Sequence, residues 1–155
     1  MKNIFFYGFI LLIILFLIND KYGLFQPSLI KINDIRIIVP IGSAYSSTYS
    51  EDNTSLTSLY DASAGNNNTF KMKEGQLLTL RFSNRFLFQD TAITFIYQTA
   101  IKKKFTKGHC TAKKLFPLKN KYETGLLLYK NYLLFDIIAD TKEDIDYYYK
   151  QICEK

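Results

Sequence analysis

The most apolar part of the chain is its beginning. Ile4–Ile18 holds fifteen residues, of which only Gly8 is not strongly apolar, and Lys2 precedes them. A positive residue before an apolar run is the pattern of a secretory signal. At 1.5 Å per residue the run spans about 22 Å, short of the ~30 Å hydrocarbon core of a bilayer. No small-residue cleavage motif follows, so we expect residues 1–20 to act as a signal peptide or as an uncleaved signal-anchor that contacts the bilayer through residues 4–18.

Alternating apolar positions predict strands in the rest of the chain. Leu29–Ile41 reads as one strand that ends at Pro40, and Phe70–Ser83 contains a second alternation in which Thr79 and Arg81 point outward. Residues 86–105 fit a helix or a strand, and their β-branched and aromatic content favours the strand. The expected inward residues of the first two segments are Ile30, Ile32, Ile35, Ile37, Val39, Leu78, Leu80 and Phe82.

The C-terminal third predicts a hairpin followed by a helix. Within Tyr122–Ala139, two apolar runs flank Lys130-Asn131, a suitable two-residue turn. Asp140 is the expected N-cap of the helix, with Glu143 three residues later. The helix should bury Ile145, Tyr148, Tyr149 and Ile152. The predicted fold class is therefore α+β, a mainly antiparallel β-sheet with a C-terminal helix, preceded by the N-terminal signal or anchor helix, and residues 21–155 form a single domain.

Residues 42–69 show no clear apolar periodicity. The segment is rich in Ser, Thr, Asn and Gly, which predicts a long polar loop. A loop of this length is more than a plain connection. We expect its tyrosines Tyr45, Tyr49 and Tyr60 to contact the body of the domain or a partner.

The two cysteines, Cys110 and Cys153, indicate the compartment. An even number of cysteines in an exported chain predicts one structural disulfide, with two free thiols as the alternative. Closing a loop of this size is worth about 3–4 kcal/mol in the chain-entropy model. The expected location is the bacterial inner membrane with the C-terminal domain in the periplasm, or the periplasm or exterior if the signal is cleaved.

A lysine-rich stretch is the most distinctive surface feature. From Thr91 to Tyr122 there are eight lysines and no acidic residue, although the whole chain carries only +6. The stretch is either a solvated face that protects an edge strand or a contact for an anionic membrane surface or an acidic protein. Nucleic acid is not expected, because the chain is exported and the stretch has no arginine. The candidate partner-binding lysines are Lys102, Lys103, Lys104, Lys107, Lys113 and Lys114.

Signatures of catalysis are sparse. His109 is the only histidine, so a site with several histidine ligands is impossible, and no phosphate-binding loop or nucleophile motif occurs. We predict no catalytic residue, cofactor or metal ligand, and no small-molecule substrate is evident. The first hypothesis is a protein-binding envelope protein, for example an immunity protein or inhibitor that acts against a secreted antibacterial toxin. The alternative is a structural or assembly subunit of an envelope machine, and a hydrolase that uses Asp136 and Glu123 is a third.

Overall fold

The computed structural model describes residues 2–22, 28–40, 42–51, 55–62, 68–84, 87, 89–99, 110, 113–128 and 132–154. The N-terminal helix α1 (Lys2–Tyr22) contains the apolar run, and the large side chains from Ile4 to Leu17 are exposed. Among the described residues, no helix is both long and apolar enough to span a membrane. The fold class is α+β with mostly antiparallel sheets and a C-terminal helix, as the sequence predicts.

Two sheets and a second helix follow α1. The three-stranded sheet has the order β2-β1-β5, and the larger sheet has the order β4-β3-β6-β7-β11-β9-β8, with β10 paired to β11. Every pairing is antiparallel except that of β1 with β5. The elements are β1 (Ser28–Ile32), β2 (Ile35–Val39), β3 (Ser43–Glu51), β4 (Ser55–Ala62), β5 (Asn68–Phe70), β6 (Leu77–Asn84), β7 (Gln89–Tyr97), β8 (Leu115–Pro117), β9 (Tyr122–Thr124), β10 (Leu127–Leu128), β11 (Leu133–Ala139) and α2 (Lys142–Cys153).

The single strand predicted over 29–41 is a hairpin. Residues Asn33 and Asp34 form a turn, and β1 and β2 then pair with Ser28 opposite Val39. Asn33 has φ of 51°, a left-handed conformation that Asn adopts more readily than most residues. Buried residues are two positions apart within each strand of the hairpin, but Ile32 and Ile35, on either side of the turn, are three positions apart. The extra residue lets the apolar faces of both strands point into the core. The predicted inward residues of this segment are all buried.

The prediction of a loop over 42–69 is wrong for most of the segment, because β3, β4 and β5 lie there. The strands were hidden because polar residues occupy core-facing positions of β3. Ser43 and Ser47 are buried on the same face as Tyr45, so the period-two apolar signal is weak. Serine, threonine and tyrosine supply most residues of β3, which contains no leucine or isoleucine.

The hairpin predicted in Tyr122–Ala139 is present, but its register differs from the expected one. A two-residue turn at Lys130-Asn131 would place Leu128 opposite Leu133, whereas Leu128 pairs with Leu134. The pairing slips by one residue between β9 and β10, next to Gly125, whose N–H donates to the Lys114 carbonyl at 2.6 Å. Residues 89–97 of the ambiguous segment form β7, which confirms the preference for a strand there.

The C-terminal helix is confirmed, but its N-cap lies one residue later than predicted. Thr141 caps α2: its Oγ1 accepts from the Asp144 N–H at 3.2 Å and donates to the Asp144 carboxylate at 2.6 Å. Asp140 instead joins two strand ends, because its carboxylate accepts from the Asp90 N–H and its own N–H donates to the Asp90 carbonyl. A threonine cap with an acidic residue at N3 serves the helix equally well.

Helix α2 closes the core and covers the edge of the small sheet. Ile145, Tyr148 and Ile152 are buried, and the ring of Tyr148 stacks on Phe82 with centroids 4.7 Å apart. The Gln151 amide accepts from the Ile38 N–H at 2.6 Å and donates to the Ile38 carbonyl at 3.2 Å. Because β2 is an edge strand, these bonds satisfy backbone groups that would otherwise be open to another chain.

Candidate functional site: a cleft around Arg81

The predicted disulfide is present. Cys110 and Cys153 are bonded, with their Cα atoms 5.5 Å apart and 43 positions apart in the sequence. Both cysteines pack against the hydrophobic core. The bond therefore holds the last turn of α2 against the body of the domain.

The lysine-rich stretch is partly neutralised within the fold. Lys113 forms an ion pair with Asp146 and lies over the Tyr149 ring, 4.7 Å from its centroid, and burial lowers the pKa of this lysine. Lys121 pairs with Asp140 at 3.4 Å. The acidic partners belong to the C-terminal region, so charges that are segregated along the sequence meet in space.

These ion pairs change the set of candidate partner-binding lysines. Lys113 is partly exposed and is held in its intramolecular ion pair with Asp146, whereas Lys114 is exposed. The remaining predicted lysines, Lys102, Lys103, Lys104 and Lys107, lie outside the described residues, as does His109.

Of the two contacts predicted for Tyr45, with the body of the domain or with a partner, the structure shows the first, because Tyr45 is a core residue. It is 3% exposed, its ring is 6.3 Å from that of Phe82, and its hydroxyl accepts from the Asn68 side-chain amide. Inward orientation on β3 explains this burial. Tyr49 and Tyr60 lie in β3 and β4, and their side chains fall outside the described residues.

A cleft of about 460 Å³ opens on the outer face of the large sheet. Its volume lies within the range of ligand-binding pockets. Residues of β3, β6, β7 and β11, together with the lysine that precedes β9, contribute to it. The lining residues are Ala44, Tyr45, Ser46, Arg81, Phe82, Ser83, Asp90, Thr91, Ala92, Lys121 and Ile138.

The Arg81 side chain is accessible from solvent because the side chains around it are small. Its cross-strand neighbours are Ser46 on β3 and Ala92 on β7, so neither fills the space above the guanidinium group. Arg81 is exposed, and it has no ion pair with any part of the chain that the structure describes. A guanidinium group in such a hollow offers two parallel N–H donors to a carboxylate or another planar anion.

Two carboxyl groups meet near the cleft, on the same outer face. Asp136 accepts a hydrogen bond from Thr124 Oγ1 at 3.0 Å and is hydrogen-bonded to Glu123. Burial, and then the charge of Glu123, raise the pKa of Asp136 from 3.8 to about 6. Paired carboxyls with one raised pKa can share a proton, the arrangement used by acid–base catalysts. Ion-pair networks and partly buried carboxyls perturb pKa values without catalysis as well.

The sequence predicts the outward position of Arg81 but not the cleft around it. The alternation around Leu80 and Phe82 places it on the outer face, and it is one of only three arginines. Its small neighbours come from strands 35 positions earlier and 11 positions later, and only the register brings them together. Within the described residues, no three His, Cys, Asp or Glu side chains are grouped so that they could hold a metal ion.

Comparison with protein-family models, with curated proteins and with solved structures finds no match for this chain.

Proposed function

We propose that this protein is an exported envelope protein that binds another protein through the cleft around Arg81. The observation that carries the proposal is the exposed guanidinium group in a hollow of small side chains, with no ion pair among the described residues. An acidic side chain or a C-terminal carboxylate of a partner would match it in charge and shape.

Two features support export to the bacterial envelope. The apolar run at 4–18 has the composition of a signal or anchor, and its large side chains are exposed on α1. The Cys110–Cys153 bond fits an oxidising compartment such as the periplasm. We therefore place the folded domain on the outer side of the inner membrane, tethered to it or released by cleavage.

A secreted antibacterial toxin is the partner class that we favour, and the protein would then act as an immunity protein or inhibitor. A small disulfide-bonded domain with sparse catalytic chemistry suits a protein that acts by occupying a surface. The alternative partner is a component of an envelope machine, in which case the protein is an assembly or structural subunit. The identity of the protein captured in the following experiment separates the two.

The test is partner capture from envelope extracts with a charge reversal in the cleft. Arg81→Glu should reduce capture of the partner, and its affinity for the purified partner, at least about tenfold, because an arginine at the centre of an interface is a frequent hot spot. The matched control is Arg36→Glu, which changes an exposed arginine on β2 in the small sheet. Equal loss of binding in both variants, or none in either, would contradict the assignment of the cleft.

The carboxyl pair supports a second candidate function, a hydrolase that uses carboxylates. Asp136 would be the acid, because its raised pKa keeps a proton on it up to about pH 6, and Glu123 would be the base. Carboxyls that share a proton resemble the pair of an aspartic protease, whereas the two carboxyls of a glycosidase stand at least about 5 Å apart. Screening the purified protein against peptide substrates at pH 5–6 therefore tests this idea. Activity that disappears in both Asp136→Asn and Glu123→Gln would support it, and activity retained in either variant would exclude the pair from the reaction.

A further inference from the structure

The chain enters its folded domain at one end of the large sheet. β1 begins at Ser28, which pairs with Val39 at the end of β2. A tight turn follows, in which the Ser43 N–H donates to the Pro40 carbonyl at 3.1 Å, and Ser43 pairs with Asn84, the last residue of β6. We call this end of the fold the entry end; its described residues are Val39, Pro40, Gly42, Ser43, Asn84, Leu87, Gln89, Asp90 and Pro117–Tyr122.

The sequence that connects β6 to β7 is unusually apolar. Its sequence is Arg85-Phe86-Leu87-Phe88, whereas connections between strands are mostly polar. The side chain of Leu87 is 62% exposed, and its N–H donates to Asn84 Oδ1 at 3.3 Å.

The neighbouring turn adds further apolar surface. It joins β8 to β9. Leu118 in this turn is 44% exposed, and Tyr122 at the start of β9 is 38% exposed. Pairing of Tyr122 with Ala139, and of Ala139 with Thr91, places this turn beside the start of β7. Lys119, between the two apolar residues, is exposed. In interfacial helices, apolar side chains enter the boundary between headgroups and acyl chains while lysines keep their charge at the surface. The exposed residues of these two turns offer the same combination.

The closeness of α1 to β1 in the sequence indicates what this surface contacts. Only residues 23–27 separate the apolar helix from Ser28, and five extended residues reach at most about 18 Å. A membrane that holds α1 therefore lies within reach of the entry end. We propose that the entry end docks on the lipid bilayer, with Leu87 and Leu118 in the interfacial region and Lys119 directed to the headgroups. This inference rests on the membrane association included in the proposed function.

Tryptophan fluorescence tests the docking, because the chain contains no tryptophan. The full-length chain with Leu87→Trp is reconstituted into phosphatidylcholine vesicles that contain brominated phosphatidylcholine, a quencher confined to the acyl region. The matched control is Leu126→Trp, an apolar residue that is 56% exposed. It lies four positions beyond Tyr122, about 13 Å farther from the entry end. Flotation of each variant with the vesicles is measured in parallel.

We expect the Leu87→Trp emission to be blue-shifted and quenched at least about twofold more than that of Leu126→Trp, since an interfacial helix or turn lies at the level of the upper acyl chains. A second comparison uses Leu118→Trp alone and Leu118→Trp combined with Leu87→Asp. The Leu118→Trp emission should be quenched, and the added Leu87→Asp substitution should reduce that quenching.

Each remaining outcome contradicts the inference. If the chain floats with vesicles but the Leu87→Trp emission stays that of a water-exposed indole, docking is refuted while membrane association stands. If both positions are quenched equally, the contact is not specific to the entry end. If the chain does not float, membrane association itself fails and the docking with it.

Discussion

Replacing Asp136 by asparagine should stabilise the protein at neutral pH and have no effect at low pH. Burial raises the pKa of Asp136 to about 6, which means that the folded state binds a proton more tightly than the unfolded chain does. Stability that depends on this proton is present below about pH 4 and is lost as the pH rises to 6. Asparagine does not titrate, and its side-chain oxygen can still accept from Thr124.

The size of the stabilisation by Asp136→Asn follows from the pKa shift of Asp136 and from the exposure of its side chain. For a fully buried carboxyl, a rise from 3.8 to about 6 corresponds to about 3 kcal/mol. Asp136 is only half-buried, and solvent screening reduces the expected gain to about 1 kcal/mol at pH 7.

Urea unfolding at pH 4, 5, 6 and 7, with the disulfide intact, measures this difference. Glu123→Gln is the informative companion, because it removes the neighbouring charge but not the burial, so part of the pH dependence should remain. The reasoning would be refuted if Asp136→Asn were less stable than the wild type at pH 7. It would also be refuted if the difference between their free energies of unfolding did not change with pH.

Three further predictions concern the packing of α2 and β3. Cys153→Ser should lower the free energy of unfolding by about 3–4 kcal/mol and increase hydrogen exchange first in the last turn of α2, because the constraint on the unfolded chain is lost; unchanged stability would contradict this. Gln151→Leu should lower the free energy of unfolding in urea by about 1–2 kcal/mol, since the Ile38 N–H loses its acceptor. Tyr147→Phe should cost much less: the Tyr147 hydroxyl donates to the Ile38 carbonyl, but Gln151 donates to the same carbonyl. Tyr45→Ala should lower the melting temperature through a loss of about 3 kcal/mol, and an effect on partner binding without destabilisation would contradict its core position.

The parts of the fold that were predictable are those with strong local patterns. Leu78, Leu80 and Phe82 alternate with polar residues, and Ile145, Tyr148 and Ile152 have helical spacing, so β6 and α2 were expected and are present. The disulfide followed from the even number of cysteines together with the expectation that the chain is exported. In each case the decisive information lies within a few residues or in a simple count.

The parts that were not predictable depend on pairing across the sheet. Serines at the core-facing positions of β3 conceal a strand, and the burial of Tyr45 follows only from that strand. The ion pair of Lys113 with Asp146 joins residues 33 positions apart. The cleft around Arg81 is a consequence of small residues on neighbouring strands, which no local pattern reveals.

Site-specific photo-crosslinking in intact cells tests the central claim most directly. A photoreactive amino acid is placed at position 92, on the floor of the cleft beside Arg81, and in a separate variant at position 36 on the small sheet. The proposed function predicts a discrete crosslinked protein from position 92 and none from position 36, with loss of the product when Arg81→Glu is added. No product from position 92, or the same products from both positions, would contradict binding through the cleft.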